Sequence, residues 1–241
     1  GFLGTLLCIL FQHFGFGQNI ANMVVGTMIL LIPGVAFTNG LRDVVNEDYI
    51  AGLTKLSDAL MLFMSIAIGV CFAFVLHGYF AGEVIQLSGT ATDSITAAMP
   101  VQIASALVGT AAFSILFGVP RKYYLSAGLV GMAGWIVYLL MTRFAHADVF
   151  FANMLSATLV AFLSRFFAKT LKCPLTVFLI CGIFPLIPGA GVFWTAYYIA
   201  SGQLTLALSA GLLALKITLA IILGILISAN VFRRPSPSRL K

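Results

Sequence analysis

Leu31-Ile32-Pro33-Gly34 and Leu186-Ile187-Pro188-Gly189 are two copies of one tetrapeptide, and each copy closes a short apolar run. Proline lacks a backbone N–H and clashes with the preceding helical turn, while glycine tolerates positive φ, so each copy is expected to break a helix. A break inside apolar sequence survives in a bilayer only where the freed backbone is buried in protein or lines a cavity. The pair therefore predicts two broken helices in a membrane protein.

The composition also predicts a membrane protein. The 241 residues are 61% hydrophobic and 8% charged, with a mean hydropathy of +1.09, whereas soluble domains carry about 25% charged residues. We therefore expect an all-α polytopic membrane protein. The net charge of +6 does not predict nucleic-acid binding, because the basic residues are scattered singly between apolar runs, as topology markers are.

Sequence motifs of the common enzyme classes do not occur in the chain. It contains none of HExxH, GxSxG and GxxxxGK[ST], so we expect neither an enzyme nor a bound cofactor. The four cysteines lie in or beside apolar segments without the CxxC spacing of zinc sites, which predicts small core side chains rather than a metal site or disulfides. They are Cys8, Cys71, Cys173 and Cys181.

Eight apolar runs are candidates for crossing a bilayer core, which needs about 20 helical residues. If the N-terminus is cytoplasmic, eleven of the thirteen Lys and Arg residues fall on the cytoplasmic side, with Arg143 outside and Lys216 inside a span. Cytoplasmic loops collect basic residues, so both termini are expected inside. The predicted spans are Gly1–Phe16, Ile20–Gly34, Ile50–Leu76, Ile95–Gly118, Tyr124–Thr142, Val149–Ala168, Pro174–Gly189 and Gln203–Phe232.

An internal repeat is predicted at an offset of 155 residues. The offset carries Gly34 to Gly189 and Gly69 to Gly224 without an insertion, and self-similarity at a fixed offset indicates duplication. In the predicted topology the two Pro-Gly helices cross in opposite directions, so the repeats are inverted. The second copy holds five helices and the first only three, so we expect two helices to precede residue 1. The predicted parts are residues 1–85 (end of the first repeat), 86–94 (outside loop), 95–232 (second repeat) and 233–241 (basic cytoplasmic tail).

Inverted repeats with a matching pair of short, Gly/Pro-interrupted spans are typical of secondary transporters. Ile20–Gly34 and Pro174–Gly189 would be about 22–24 Å long as straight helices at about 1.5 Å per residue, shorter than a hydrocarbon core of about 30 Å. The stretches that follow, 35–46 and 190–201, are expected to turn back or lie flat. Two ordinary proline kinks are the alternative interpretation.

The block Met28–Asp43, followed by Glu47-Asp48-Tyr49 and Ala51-Gly52-Leu53, resembles the threonine/serine exporter family, in which a Pro-Gly, a Thr-Asn and an Arg-Asp recur in the first half. Gly118-Val119-Pro120-Arg121 and the later Pro185–Gly189 are similar to that family's smaller second half. The resemblance implies an inner-membrane exporter of small hydroxy amino acids, commonly driven by the proton gradient. It also implies a soluble N-terminal segment, absent here, and halves that are sometimes separate chains.

Polar residues beside the breaks are the predicted substrate contacts. Thr38 and Asn39 follow Pro33-Gly34 and would offer a hydroxyl and an amide near freed backbone, which suits a zwitterion; an ordinary turn pair is the alternative. Arg42 and Asp43 are expected to act in gating or, alternatively, to anchor the helix at the interface. The predicted substrate-binding residues are Pro33, Gly34, Thr38, Asn39, Pro188 and Gly189.

Asp58 and Lys216 are the predicted coupling pair. Lys216 is the one charge near the middle of a long span, where a charge is costly unless it faces a cavity or a partner. The offset maps it to Met61, one helical turn beyond Asp58, so we expect the two side chains to face one cavity and Asp58 to carry the proton. A helix-start role is the alternative for Asp58.

Other patterns predict packing and interface positions. Trp194, Tyr197 and Tyr198 follow the second break and are expected to form an interfacial aromatic belt or an outer gate. Small residues at Gly128, Gly131 and Gly134 predict close helix packing.

The function expected from these patterns is proton-coupled export of threonine and serine by alternating access. The alternatives are export of small carboxylates and a membrane scaffold or assembly subunit. The expected partners are the small-molecule substrate, membrane lipid and either a second copy or a companion N-terminal segment.

Overall fold

A computed structural model describes residues 1–17, 19–28, 31, 34–45, 48–82 and 98–231, and the structural statements below concern those residues. Within the helices, a few side chains also fall outside the description: Thr38, Leu41, Arg42, Val44, Val45, Asn230 and Val231.

Ten α-helices make up the described structure, together with two 3₁₀ turns at Arg121–Tyr123 and Phe184–Leu186. The all-α membrane class is confirmed, but the count of eight spans is not. Five helices are long and apolar enough to cross a bilayer, or up to six if the bent pair Leu175–Leu186 and Gly189–Ala200 counts as one span. The helices are α1 (Phe2–His13), α2 (Ile20–Met28), α3 (Gly34–Val45), α4 (Tyr49–Ala81), α5 (Met99–Leu116), α6 (Tyr124–Arg143), α7 (Val149–Thr170), α8 (Leu175–Ile183), α9 (Gly189–Ala200) and α10 (Leu204–Val231).

Local sequence signals explain where the long helices begin and end. The Asp48 carboxylate accepts a hydrogen bond from the Ala51 N–H at the start of α4, and Asp148 accepts one from the Phe150 N–H at the start of α7. Acidic N-caps satisfy amide groups that have no partner within the helix. Gly82 ends α4 with φ +73°, a left-handed conformation that glycine adopts without strain.

The contacts divide the chain into two units. The first comprises the described residues of Gly1–Ala97 and Pro188–Lys216. In this unit α1, α3 and α9 all pack against α4. Its core joins α4 side chains such as Phe63 and Val70 to Phe193 and Trp194 of α9. Helix α4 is therefore the central element of the first unit.

The second unit comprises the described residues of Ala98–Ile187 and Ile217–Lys241. Here α6 packs against α5, α7 and α8. The glycines of α6 lie at these contacts: a Cβ on Gly128 would lie 3.0 Å from the Leu107 carbonyl oxygen, and one on Gly134 would overlap Val160. The close packing predicted for this small-residue face is confirmed.

Helix bounds recur at the predicted offset of 155 residues. Helices α8 and α9 begin and end 155 residues after α2 and α3, and α10 begins 155 residues after α4. Contacts recur as well. A Cβ on Gly69 would lie 2.9 Å from the Phe2 nitrogen, and one on Gly224 would lie 2.9 Å from the Ala157 Cβ. Phe2 and Gly69 map onto Ala157 and Gly224, so the same two positions meet in both copies.

Candidate functional site

Helices α3 and α9 both begin near the middle of α4. Phe37 of α3 meets Phe63 of α4 with ring centroids 6.2 Å apart, while Asp43, nearer the end of α3, pairs with Lys55. Residue numbers fall along α4 as they rise along α3, so the two helices are antiparallel. Gly34, the first residue of α3, consequently lies level with the middle of the 33-residue α4.

Helix α9 runs parallel to α4. Tyr197 and Ala200 of α9 and its C-cap Ser201 line one cavity together with residues of the Cys71–Tyr79 stretch, and α4 ends at Ala81. If α9 ran in the opposite direction, its first residues would extend beyond the end of α4 and would not pack on it. The two helices therefore run in the same direction. At about 1.5 Å per residue, Gly189 then lies about 18 Å back along α4, again near the middle of that helix.

Two helix N-termini thus point toward one level of α4. Pro188 precedes α9 without a side-chain cap on the first turn, and Gly34 and Gly189 are both buried. The unpaired amide groups of a first helical turn carry partial positive charge, equivalent to about half an elementary charge per helix. Glycine lets another group approach that backbone closely. This arrangement suits a carboxylate.

The helix is interrupted at the second tetrapeptide. Leu175–Leu186 and Gly189–Ala200 are separate helical segments on either side of Ile187 and Pro188. Residues 190–200 belong to α9, a regular helix that packs on α4. Residues 35–45 likewise belong to α3, which also packs on α4. That these stretches turn back or lie flat in the membrane stays a prediction. Pro33, a predicted substrate contact, lies outside the described residues.

The polar residues of α3 are only partly described. Asn39 is half-buried on α3, whereas the side chains of Thr38 and Arg42 lie outside the description. Asp43 forms an ion pair with Lys55 across α3 and α4. The sequence interpretation treated Lys55 only as a topology marker; its pairing with Asp43 depends on the antiparallel packing of the two helices.

Asp58 lies on a polar face of α4. Thr54, Asp58, Met61 and Ser65 share the spacing of one helix face, and Met61 and Ser65 line a groove of about 520 Å³. Asp58 is the tenth residue of α4 rather than its cap, so the helix-start alternative is wrong.

Lys216 lies on an exposed part of α10. The pairing of Asp58 with Lys216 stays a prediction, whereas Asp43 and Lys55 form an ion pair in the described structure. The coupling role of Asp58 is a separate prediction that does not depend on that pair.

The aromatic residues of α9 are not an interfacial belt. Trp194, Tyr197 and Tyr198 are all buried in the first unit's core. Trp194 stacks on Tyr198 with centroids 5.5 Å apart and meets Tyr197 edge to face at 5.7 Å. Hydropathy places such residues near a membrane surface, but it does not distinguish the bilayer interface from a protein core.

Arg165 was missed as a structural residue. Basic-residue counting assigned it to a cytoplasmic loop, but it lies within α7, and its guanidinium donates to the Ser228 carbonyl oxygen and, at 2.6 Å, to the Ser228 hydroxyl. Ser228 is buried in α10. The available signal was its position inside the apolar run Val149–Ala168, where a cation needs acceptors.

These features define an all-helical membrane protein in which two short helices, each starting at a glycine, pack on one long membrane-spanning helix. Residues 102–231 match the family described as "Threonine/Serine exporter, ThrE", and residues 1–77 match "Putative threonine/serine exporter". The chain therefore belongs to the threonine/serine exporter family.

A curated relative agrees with the family match. The "Probable threonine/serine exporter" of Mycobacterium tuberculosis is 27% identical over 219 residues, covering 86% of this chain and 41% of the relative. The chain thus spans about two fifths of that relative's length. No solved structure gives a significant match to the chain.

Proposed function

We propose that this chain forms the membrane part of a secondary-active exporter of small hydroxy amino acids, with threonine and serine as substrates. The family and the name of the mycobacterial relative support this substrate class. Five or six apolar helices of spanning length support a multi-pass location. We place the chain in the plasma membrane, the inner one where there are two. Both termini are placed in the cytoplasm, because that orientation puts ten of the thirteen basic residues inside once Arg165, which lies within α7, is left out.

The observation that carries the proposal is the approach of two helix N-termini to the middle of α4. Transporters commonly bind an anionic substrate group at the N-terminal ends of discontinuous helices near the bilayer midplane. Gly34 and Gly189 begin the two helices, and neither has a side chain that would keep a substrate carboxylate away from the amide groups there. Asn39, half-buried on the second turn of α3, and the neighbouring Thr38 are the proposed partners for the substrate's hydroxyl and ammonium groups.

Proton coupling is assigned to Asp58. A carboxylate on a membrane-spanning helix is costly against lipid, and such residues commonly face water-filled cavities on proton pathways. Asp58 shares its helix face with the hydroxyl side chains of Thr54 and Ser65, and Ser65 is the polar residue in the otherwise apolar lining of the 520 Å³ groove. Arg42 and the Asp43–Lys55 pair, at the far end of α3 from its glycine, are proposed to hold that helix during gating.

Alternating access would follow from inverted repeats. The recurrence of helix bounds at the 155-residue offset supports a duplicated unit, and the basic-residue distribution supports opposite orientations of the two copies. The position of Lys216 in the second copy is occupied by Met61 in the first. Lys216 is therefore proposed to make the two sides of the pathway chemically different.

The test is efflux from proteoliposomes containing this chain. Vesicles loaded with labelled threonine should lose it faster when a pH gradient is imposed, and Asp58→Asn should abolish that acceleration. Asp148→Asn is the matched control, because it also removes one carboxylate but asparagine caps a helix as well as aspartate.

The outcomes separate the alternatives. Efflux of succinate without efflux of threonine would indicate a carboxylate exporter, which two positive helix ends and Lys216 would also suit. Absence of flux with either solute would favour a scaffold or assembly role. Gradient-dependent threonine efflux that persists in Asp58→Asn would refute the coupling assignment while leaving the substrate class standing.

A further inference from the structure

A separate cavity lies where α4 and α9 end. Its volume is about 450 Å³, and none of the residues assigned above to substrate binding or proton coupling lines it. The lining residues of α4 are Cys71, Phe74, Val75, Gly78 and Tyr79, and those at the end of α9 are Tyr197, Ala200 and Ser201. Both helices stop at the cavity, α4 at Ala81 and α9 at Ala200.

Two helix C-termini end at this cavity. Each carries the equivalent of about half a negative charge, and capping amides pair part of each last turn: the Gly82 N–H donates to the Gly78 carbonyl and the Ser201 N–H to the Tyr197 carbonyl. Because α4 and α9 run parallel, their carbonyl ends lie at the same side of the cavity and their potentials add. Among the described lining residues there is no charged side chain, so no basic group offsets this potential. An anion would be repelled from the cavity and a cation attracted.

Aromatic rings add a second attraction for cations. Phe74, Tyr79 and Tyr197 all line the cavity, and the face of an aromatic ring attracts ammonium groups within about 6 Å of its centre. Phe74 and Tyr197 are buried in the core and so hold fixed positions, whereas Tyr79 is 84% exposed at the cavity's edge. The cavity therefore has a fixed aromatic wall and an accessible aromatic rim.

We propose that this cavity binds the ammonium group of a small amine and receives the exported amino acid after it leaves the breaks. The second part rests on the proposed export function. The length of α9, about 18 Å, separates the cavity from Gly189, so one threonine molecule does not reach both places. The cavity is thus a second site, and the predicted topology puts the C-terminal end of α4 on the outer side.

Cys71 supplies a reporter inside the cavity. Cys8 and Cys181 are buried, whereas Cys71 and Cys173 are half-buried. In a Cys173→Ser background, alkylation of Cys71 by N-ethylmaleimide is followed by mass spectrometry. Tetramethylammonium and threonine should both slow it, while N-acetylthreonine, which lacks the ammonium group, should leave the rate unchanged. The converse chain, Cys71→Ser with Cys173 retained, should be insensitive to all three compounds.

A ring substitution tests the aromatic contribution. Tyr79→Leu should weaken protection of Cys71 by tetramethylammonium about threefold or more, because it removes one ring face. Phe80→Leu is the matched control: Phe80 is the next residue, is 78% exposed and does not line the cavity. Both residues are too exposed for their replacement to disturb the core.

Efflux measured in parallel separates the two proposals. Equal alkylation rates with and without tetramethylammonium would overturn the cation site even if threonine efflux is normal. Equal protection by threonine and N-acetylthreonine would overturn the assignment of the ammonium group. Protection by tetramethylammonium without any threonine efflux would keep the cation site and refute the exporter.

Discussion

Gly224 on α10 gives a sharp test of the packing in the second unit. A Cβ at this position would overlap the Met154 carbonyl oxygen of α7 and lie 2.9 Å from the Ala157 Cβ and 3.0 Å from the Thr158 nitrogen. Two of these three atoms belong to the backbone and do not rotate away. Gly224→Ala therefore requires the two helices to move apart.

The size of the effect follows from these contacts. Carbon atoms pack best at about 3.5–4.0 Å, so α7 and α10 must separate by about 0.6 Å or more at this point. Overpacking of a tight core costs about 1–3 kcal/mol, and overlap with backbone places this site toward the upper end. Alanine recovers about 1 kcal/mol through its better helix propensity. The expected net cost is about 1–2 kcal/mol of unfolding free energy.

Gly109→Ala is the matched control. Gly109 also lies inside a membrane-spanning helix, α5, but a Cβ there would meet nothing within 4 Å. It should therefore show the propensity gain alone. For a protein of this size about 1 kcal/mol corresponds to about 2–4 °C in Tm, so thermal unfolding in detergent should show Gly224→Ala falling and Gly109→Ala rising. A Gly224→Ala chain as stable as Gly109→Ala would refute the close α7–α10 contact.

Three further predictions concern polar groups. Gly131→Ala would put a Cβ 2.9 Å from the Thr110 Cβ and should lower Tm, and adding Thr110→Ala should restore it. Arg165→Gln should cost about 1–3 kcal/mol by leaving buried acceptors unsatisfied, and Ser228→Ala should cost less because the carbonyl acceptor remains. Asp43→Asn should cost under about 1 kcal/mol, and less at high salt, because its ion pair is partly exposed.

Thermal unfolding of the same detergent-solubilised chain measures all three. Equal Tm values for Gly131→Ala with and without the Thr110 change would contradict direct contact between α5 and α6 at this point. A Ser228→Ala cost as large as that of Arg165→Gln would assign the stabilisation to the hydroxyl alone. An Asp43→Asn effect insensitive to salt would argue against an ion pair.

The long helices were predictable from sequence because each is an uninterrupted apolar run bounded by strong signals. Helix α6 was expected at Tyr124–Thr142 and extends one residue further, and α7 begins at Val149 as expected, directly after its Asp148 cap. The stretches that form α3 and α9 were expected to turn back or lie flat, and the sequence did not predict their packing on α4. The Thr-Asn and Arg-Asp pairs of α3 lower its hydropathy. Its packing on α4 stabilises the helix, and hydropathy averaged over a short stretch of sequence does not reveal such a tertiary contact.

The candidate site was predictable in position but not in its contacts. The tetrapeptides indicated where α3 and α9 would begin, because Pro and Gly act through the local backbone. Pairing of Asp43 with Lys55, twelve residues away, requires α3 to fold back antiparallel onto α4. Burial of the α9 aromatics and the hydrogen bonds of Arg165 to α10 likewise depend on which helices become neighbours.

The segments related by the 155-residue offset share a close helix approach but differ in their side chains. A Cβ on Gly40 of α3 would lie 3.0 Å from Leu56 of α4, and one on Gly211 of α10 would lie 3.2 Å from Thr195 of α9. The offset maps Gly40 to Thr195 and Leu56 to Gly211, so the small residue has moved to the opposite helix while the close approach is preserved. The close approach limits only the combined volume of the two facing side chains. It therefore places no limit on the residue types at neighbouring positions. They carry Thr38, Asn39, Arg42 and Asp43 on α3 but Phe193, Trp194, Tyr197 and Tyr198 on α9. In the export function proposed above, a zwitterion would meet the polar sequence of α3 on one side of the helix breaks and the aromatic sequence of α9 on the other.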